Sequence, residues 1–154
     1  MREAWRLVKK SRAAEAFSGE GARLFGGRWN RRGTPVVYLA DSLALAALEI
    51  FAHLNGADRG LEFTAFSVEL PARARLERLG VAALPAGWRA YPTLPACQEL
   101  GSQWARAGAA LGLWLPSALV PVQHNLLLNP THKDFAALRI HAWGDFSFDP
   151  RMWK

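Results

Sequence analysis

Between Ser42 and Leu54 the apolar residues Leu43, Ala46, Ala47, Ile50, Phe51 and Leu54 recur at the three- and four-residue spacing of one helical face. Asp41 and Ser42 ahead of them offer N-cap oxygens, and Asn55-Gly56 offers a stop. Leu45, Leu48 and Ala52 fill much of the other side, so the pattern predicts a helix over 42–54 that is buried on more than one face. Strand patterns flank it. Ala4–Lys9 predicts an opening strand, Pro35–Ala40 a second, rich in β-prone side chains, and Leu61–Leu70 a third, stopped by Pro71. Leu94–Ala107, started by Thr93 and Pro95, predicts a second long helix. Leu113–Leu115, Asn125–Asn129 and Ala137–Ala142 predict further strands, with Phe146–Lys154 a candidate edge strand. Phe17–Gly33 reads as a long loop holding five glycines, and Pro71–Tyr91 as irregular. Strands and few helices in mixed order give an α+β fold class.

A length of 154 residues predicts one domain over 1–154. A chain of this size buries about 68–70% of its unfolded surface, enough for a core without disulfide or metal staples. The single cysteine, Cys97, excludes an internal disulfide and any multi-cysteine metal site, and it fits a reducing compartment. Residues 1–6 carry no apolar segment of the secretory kind. The stretches 43–52 and 111–122 are too short or too interrupted to span a bilayer. The expectation is therefore a cytoplasmic protein with no membrane association. The net charge of +6 admits nucleic acid, an anionic small ligand or an acidic protein as partner. Arg23, Arg28, Arg31 and Arg32 crowd the Gly-rich segment, which suits a phosphate-binding loop better than a DNA-tracking stripe. Direct nucleic-acid binding is not expected.

Glu49 is the sharpest chemical feature. It is the one polar side chain between Ser42 and His53 on an otherwise apolar helix. A carboxylate in such a place is either half of a structural ion pair with an arginine or the reactive group at the floor of a cleft. Arg28, in Gly26-Gly27-Arg28-Trp29-Asn30, offers a planar fork for phosphate oxygens; the plainer alternative is a surface arginine in a loop. Gly19-Glu20-Gly21-Ala22-Arg23-Leu24 lacks the third glycine of a dinucleotide fingerprint, and no Walker lysine is present, so a doubly wound nucleotide fold does not fit. Ser117 has no Gly-x-Ser-x-Gly elbow around it and reads alone as a turn serine. His53, His124, His132 and His141 lack zinc-site spacing, and no metal is expected.

Taken in order, four segments resemble the RES-domain family, named for an arginine, a glutamate and a serine. They are Gly19–Arg23 leading to Gly26–Asn30 and Gly33; Pro35–Ala40; Ser42–Glu49 with His53-Leu54; and Leu115–Ala118 followed by Asn125, Leu128-Asn129-Pro130 and His132. The resemblance implies an ADP-ribosyltransferase-like fold, two small mixed β-sheets with flanking helices around an NAD cleft. It implies a toxin of a bacterial toxin–antitoxin pair that consumes NAD as substrate, by hydrolysis, phosphorolysis or ADP-ribosyl transfer. It also implies a cognate antitoxin with a helix-turn-helix DNA-binding domain, and leaves room for a homodimer within that complex. Carried over by position, Glu49, Tyr38 and Arg28 are the catalytic candidates, and Arg6, Arg28, Tyr38 and Ser117 the NAD-binding ones. Family members often carry an acidic residue just before the position of Asn125; Gln123-His124 stand there in this chain, which touches the acceptor side of the reaction.

The chemistry gives these residue types a purpose. Losing nicotinamide leaves an oxocarbenium-like ribose, which a nearby carboxylate stabilises, while arginines neutralise the pyrophosphate. Two other readings stand beside this one. A ribonuclease toxin would use a histidine and Glu49 as acid and base. A noncatalytic binding module would pair Arg28 with Glu49 structurally.

Overall fold

The computed structural model describes residues 2–154; Met1, the first residue of the expected domain, lies outside the described residues. The described residues form seven strands: β1 (Glu3–Lys9), β2 (Val37–Ala40), β3 (Phe63–Glu69), β4 (Leu76–Arg78), β5 (Gly112–Pro116), β6 (His124–Leu128) and β7 (Arg139–Phe146). The α-helices are α1 (Glu20–Phe25), α2 (Leu43–Phe51) and α3 (Pro95–Ala107). The fold is α+β. Its strands form one sheet in the order β4-β5-β6-β2-β1-β3-β7, antiparallel except for the β4–β5 pair.

Two sheets were the expectation, and a single sheet is the observation. The pairing within it is uneven. β1 pairs with β3 over seven positions, from Glu3↔Glu69 to Lys9↔Phe63, whereas β1 and β2 share only Trp5↔Ala40. Continuing that antiparallel register would set Leu7 opposite Tyr38, yet the ladder stops. The Tyr38 carbonyl instead accepts from the Arg6 guanidinium at 2.8 Å. A charged side chain has taken the place of a backbone donor, so the sheet splays into a four-stranded and a three-stranded half without leaving that carbonyl unpaired.

The two longer helices cover these halves. Along β2, Tyr38 packs with the α3-side cluster of Trp29, Cys97, Leu113 and Leu127, while Ala40 packs with the α2-side cluster of Leu7, Leu45 and Phe63. Residues two apart on a strand share a face, so both helices lie on the same side of the sheet. Val37 and Leu39 turn to the opposite face, into a core with Val68, Trp114 and Leu126. The gap between the helices lies directly above Tyr38–Ala40.

Several local expectations change. α2 stops at Phe51 rather than Leu54, and Asn55 caps a separate 3-10 turn at Gly56–Asp58. The helix is not buried all round: Ala44 is exposed and Leu48 is 40% exposed. The Gly-rich loop contains α1, entered through Gly19 at φ 77° and left through Gly26 at φ 73°, both left-handed values that a side chain rarely adopts. The irregular stretch contains β4, three residues long and parallel to β5. The chain end does not add a strand; Pro150–Met152 is a 3-10 turn, and Phe148 and Trp153 pack against Phe51. No helix among the described residues is long and apolar enough to cross a membrane.

Candidate active site

Where the sheet splays, between α2 and α3, a cleft of about 720 Å³ opens. That lies within the usual size range of small-molecule sites. Arg6, Arg28, Tyr38 and Glu49, drawn from β1, the Gly-rich loop, β2 and α2, all line it. Four of the five sequence candidates thus meet on one surface, although they lie up to 43 positions apart in the chain.

Ser117 is placed differently. Its side chain is 0% exposed, just past the end of β5, and its hydroxyl donates to Glu49 Oε1 at 2.7 Å. The same oxygen accepts from the backbone N–H groups of Leu119 and Val120, both at 3.1 Å. With its lone pairs occupied by the backbone, the hydroxyl has its one proton aimed at the carboxylate. Ser117 therefore lies beneath Glu49 and is not among the residues that line the cleft. Glu49 is half-buried, less than the sequence pattern suggests, and no arginine ion pair to it occurs among the described residues.

Arg6 is anchored at two points, Nε to the Ala16 carbonyl at 2.6 Å and one terminal nitrogen to Tyr38. Burial pushes its pKa down to about 10, so the guanidinium stays charged at neutral pH. Arg28 donates from one terminal nitrogen to the carbonyls of Trp88 and Ala90, both at 2.8 Å. It ties the Gly-rich loop to the segment before α3, and its other guanidinium nitrogens have no protein partner among the described residues. The remaining arginines of the cluster do not share the cleft: Arg23 pairs with Glu20, and Arg31 with Glu99 at 2.7 Å.

Tyr38 holds the loop from below. Its hydroxyl donates to Asn30 Oδ1 at 2.6 Å and accepts from the Trp29 N–H at 3.0 Å. Asn30 is fully buried and spreads its amide over the carbonyls of Ala22, Arg31 and Thr34. Burial raises the Tyr38 pKa above its ordinary value, with the Trp29 N–H and the Arg28 charge opposing, so the phenol stays protonated. Gly27 is required here, because a Cβ would fall 2.7 Å from the Tyr38 hydroxyl. From the other side α3 braces the loop. Gln98 donates to the Gly27 carbonyl, Ser102 accepts from the Arg31 N–H, and a Cβ at Gly101 would collide with the Trp29 carbonyl.

The cleft also holds residues that the sequence did not single out as site residues, among them His53, Tyr91, Gln98 and Trp5. His53 follows Glu49 by four residues, a spacing that sets side chains side by side on a helical surface; the spacing alone could have drawn attention to it. Tyr91 and Gln98 reach the cleft only by long-range folding and carry no local signal. Among the described residues no group of three or more His, Cys, Asp or Glu side chains is placed to hold a metal ion.

This ordered set of segments has counterparts elsewhere. A family model described as RES domain matches residues 3–150. The chain belongs to the RES-domain family. Relatives of this RES domain span nearly its whole length. "Toxin Res" of Yersinia enterocolitica is 36% identical over 149 residues, covering 96% of this chain and 97% of the relative. "Prs ADP-ribosylating toxin" of Sphingobium sp. is 39% identical over 152 residues, covering 96% and 94%. Among solved structures, the RES domain superposes with a TM-score of 0.69 on a chain of the M. tuberculosis MbcT-MbcA toxin-antitoxin complex. The match covers 98% of this chain and 86% of that one at 21% identity, a likeness of fold.

Proposed function

We propose that this RES domain is the toxin of a toxin–antitoxin pair and that it consumes NAD by breaking the nicotinamide–ribose bond in the cleft. The observation that carries the proposal is the Glu49 carboxylate, pinned by the buried Ser117 hydroxyl on a surface it shares with Arg6 and Arg28. In the reaction the glycosidic C–N bond breaks, and its electron pair leaves with nicotinamide, which departs neutral. The positive charge then spreads over the ribose ring, and water, phosphate or a protein side chain supplies the electron pair that replaces the lost bond. Glu49 opposes that developing charge, a stabilisation made mainly in the transition state. Ser117 fixes the direction of the carboxylate. Arg6 and Arg28 hold the pyrophosphate, each through guanidinium nitrogens not already bonded to the protein. Tyr38 presents its ring to the cleft while its hydroxyl holds the loop that carries Arg28. The relative named as an ADP-ribosylating toxin supports the same bond cleavage, since ADP-ribosyl transfer begins with loss of nicotinamide from NAD. The fold shared with a chain of a toxin–antitoxin complex supports an antitoxin partner, for which we propose a helix-turn-helix protein.

A ribonuclease reading keeps one observation in its favour: His53, two residues past the end of α2, lines the cleft together with Glu49. The purified protein incubated with NAD should release nicotinamide, measured by chromatography, and the same protein incubated with RNA should leave it intact. Cleaved RNA beside intact NAD would reverse the assignment.

A further inference from the structure

The floor of the cleft carries a polar side chain that the proposed chemistry leaves unused. Four strands are in register there: Trp5 of β1 lies opposite Ala40 of β2, Ala40 opposite Asn125 of β6, and Asn125 opposite Leu115 of β5. Trp5, Ala40 and Asn125 line the cleft, whereas Leu115 is fully buried in the α3-side cluster. Asn125 is thus the polar member of an otherwise apolar row. Asparagine is a poor strand former, so propensity does not account for it. Nor do its own bonds. The amide nitrogen donates to the Leu39 carbonyl at 3.4 Å, longer than the usual range. A carbonyl only accepts, so the nitrogen is the atom that faces Leu39. The amide oxygen is left without a protein partner among the described residues.

The same register sets Asn125 close to the Glu49 carboxylate. One step beyond Leu115↔Asn125 on that face, the Ser117 N–H donates to the Gln123 carbonyl at 2.9 Å. Ser117 is the residue whose hydroxyl holds Glu49 Oε1. Asn125 therefore stands two residues, about 6.8 Å of strand, inside the hairpin end at which Glu49 is held. Both side chains line the cleft. Glu49 Oε2 also has no protein partner among the described residues, so the floor offers two free acceptor oxygens, one from a carboxylate and one from an amide. A neutral group with two donors on neighbouring atoms, as acceptors so placed require, is a sugar diol. We infer that Asn125 binds the hydroxyls of the ribose that sits at Glu49. The inference rests on the proposed NAD reading for the identity of the ligand; its own content is a sugar subsite at Asn125.

The test is calorimetric titration of the whole chain with ADP-ribose and with ADP. Only ADP-ribose carries the second ribose, and neither carries nicotinamide. Asn125→Ala and Asn125→Leu both remove the amide, and leucine fills the space that alanine empties, so a fold weakened by the smaller side chain does not decide the result. Each variant is expected to bind ADP-ribose about tenfold more weakly than the unmodified chain, the scale of one lost hydrogen bond between neutral groups, and to bind ADP unchanged. Equal losses for the two ligands, an unchanged affinity for ADP-ribose, or no binding of ADP-ribose to the unmodified chain would each overturn the subsite. Release of nicotinamide from NAD, followed on the unmodified chain, reads the proposed reaction separately. If release is absent but ADP-ribose binding depends on Asn125, the reaction is refuted and the subsite stands. If release occurs and ADP-ribose binding ignores Asn125, the subsite is refuted and the reaction stands.

Discussion

At the residue scale, Glu49 and Ser117 divide one task, and their substitutions should separate it. Glu49→Gln keeps an amide oxygen that can accept from Ser117 but removes the charge. Turnover should fall by about 10²–10³, the scale for losing one electrostatic stabiliser, with NAD affinity little changed. Melting temperature should hold, because the serine contact survives; a destabilised but fully active Glu49→Gln protein would remove the carboxylate from the chemistry. Ser117→Ala acts in the opposite order. It leaves two backbone N–H groups and the carboxylate without their partner, so stability should drop by about 1–3 kcal/mol in denaturant titration, alongside a loss of turnover. Arg28→Lys keeps the charge and loses the fork. Lysine cannot span the Trp88 and Ala90 carbonyls while offering further planar N–H groups to phosphate, so NAD affinity should weaken with the fold retained. Titration of that variant with wild-type affinity would return Arg28 to a purely structural post.

At the scale of elements, the Gly-rich loop is held as a sandwich, with Tyr38 of β2 below it and α3 beside it. Gly101 shows how tight the arrangement is. Gly→Ala in a helix interior gains up to about 1 kcal/mol from propensity alone. Here the added methyl would strike the Trp29 carbonyl, and forced overpacking costs about 1–3 kcal/mol or more, so the clash outweighs the gain. Gly101→Ala should therefore lower the melting temperature and, by displacing the loop that carries Arg28, weaken NAD binding as well. An equally stable variant with normal binding would show that α3 and the loop are not coupled. The same sandwich explains why α1 was missed in the sequence. Six residues with glycine at both borders make a weak helical signal, and the helix persists because Asn30 and Gly33 return hydrogen bonds to the carbonyls of Ala22 and Arg23.

At the scale of the whole molecule, an NAD-consuming cleft left open would harm the cell that makes it, so the proposed antitoxin should act by covering the cleft. Complex formation should protect residues 19–33 from hydrogen exchange and abolish nicotinamide release; a complex that retains full turnover would argue for another means of control. Much of the architecture is legible in the order of residues. Alternation and helical spacing located six of the seven strands and both long helices, because those periods reflect burial that each element carries locally. Four ordered segments carried the resemblance to the family, and the residues carried over from it by position include four that line the cleft. The tertiary structure decided what depends on distant partners. β4 is too short to announce itself and exists through its parallel pairing with β5. The single joint at Trp5↔Ala40 arises because Arg6 replaces a ladder bond, which no local pattern encodes. Ser117 reads alone as a turn serine, and its proton finds Glu49 only when β5 and α2 are brought together across 68 positions of chain. Hydrophobic period is a property of a segment, whereas the direction of a hydroxyl or a guanidinium is a property of whatever the fold sets opposite it.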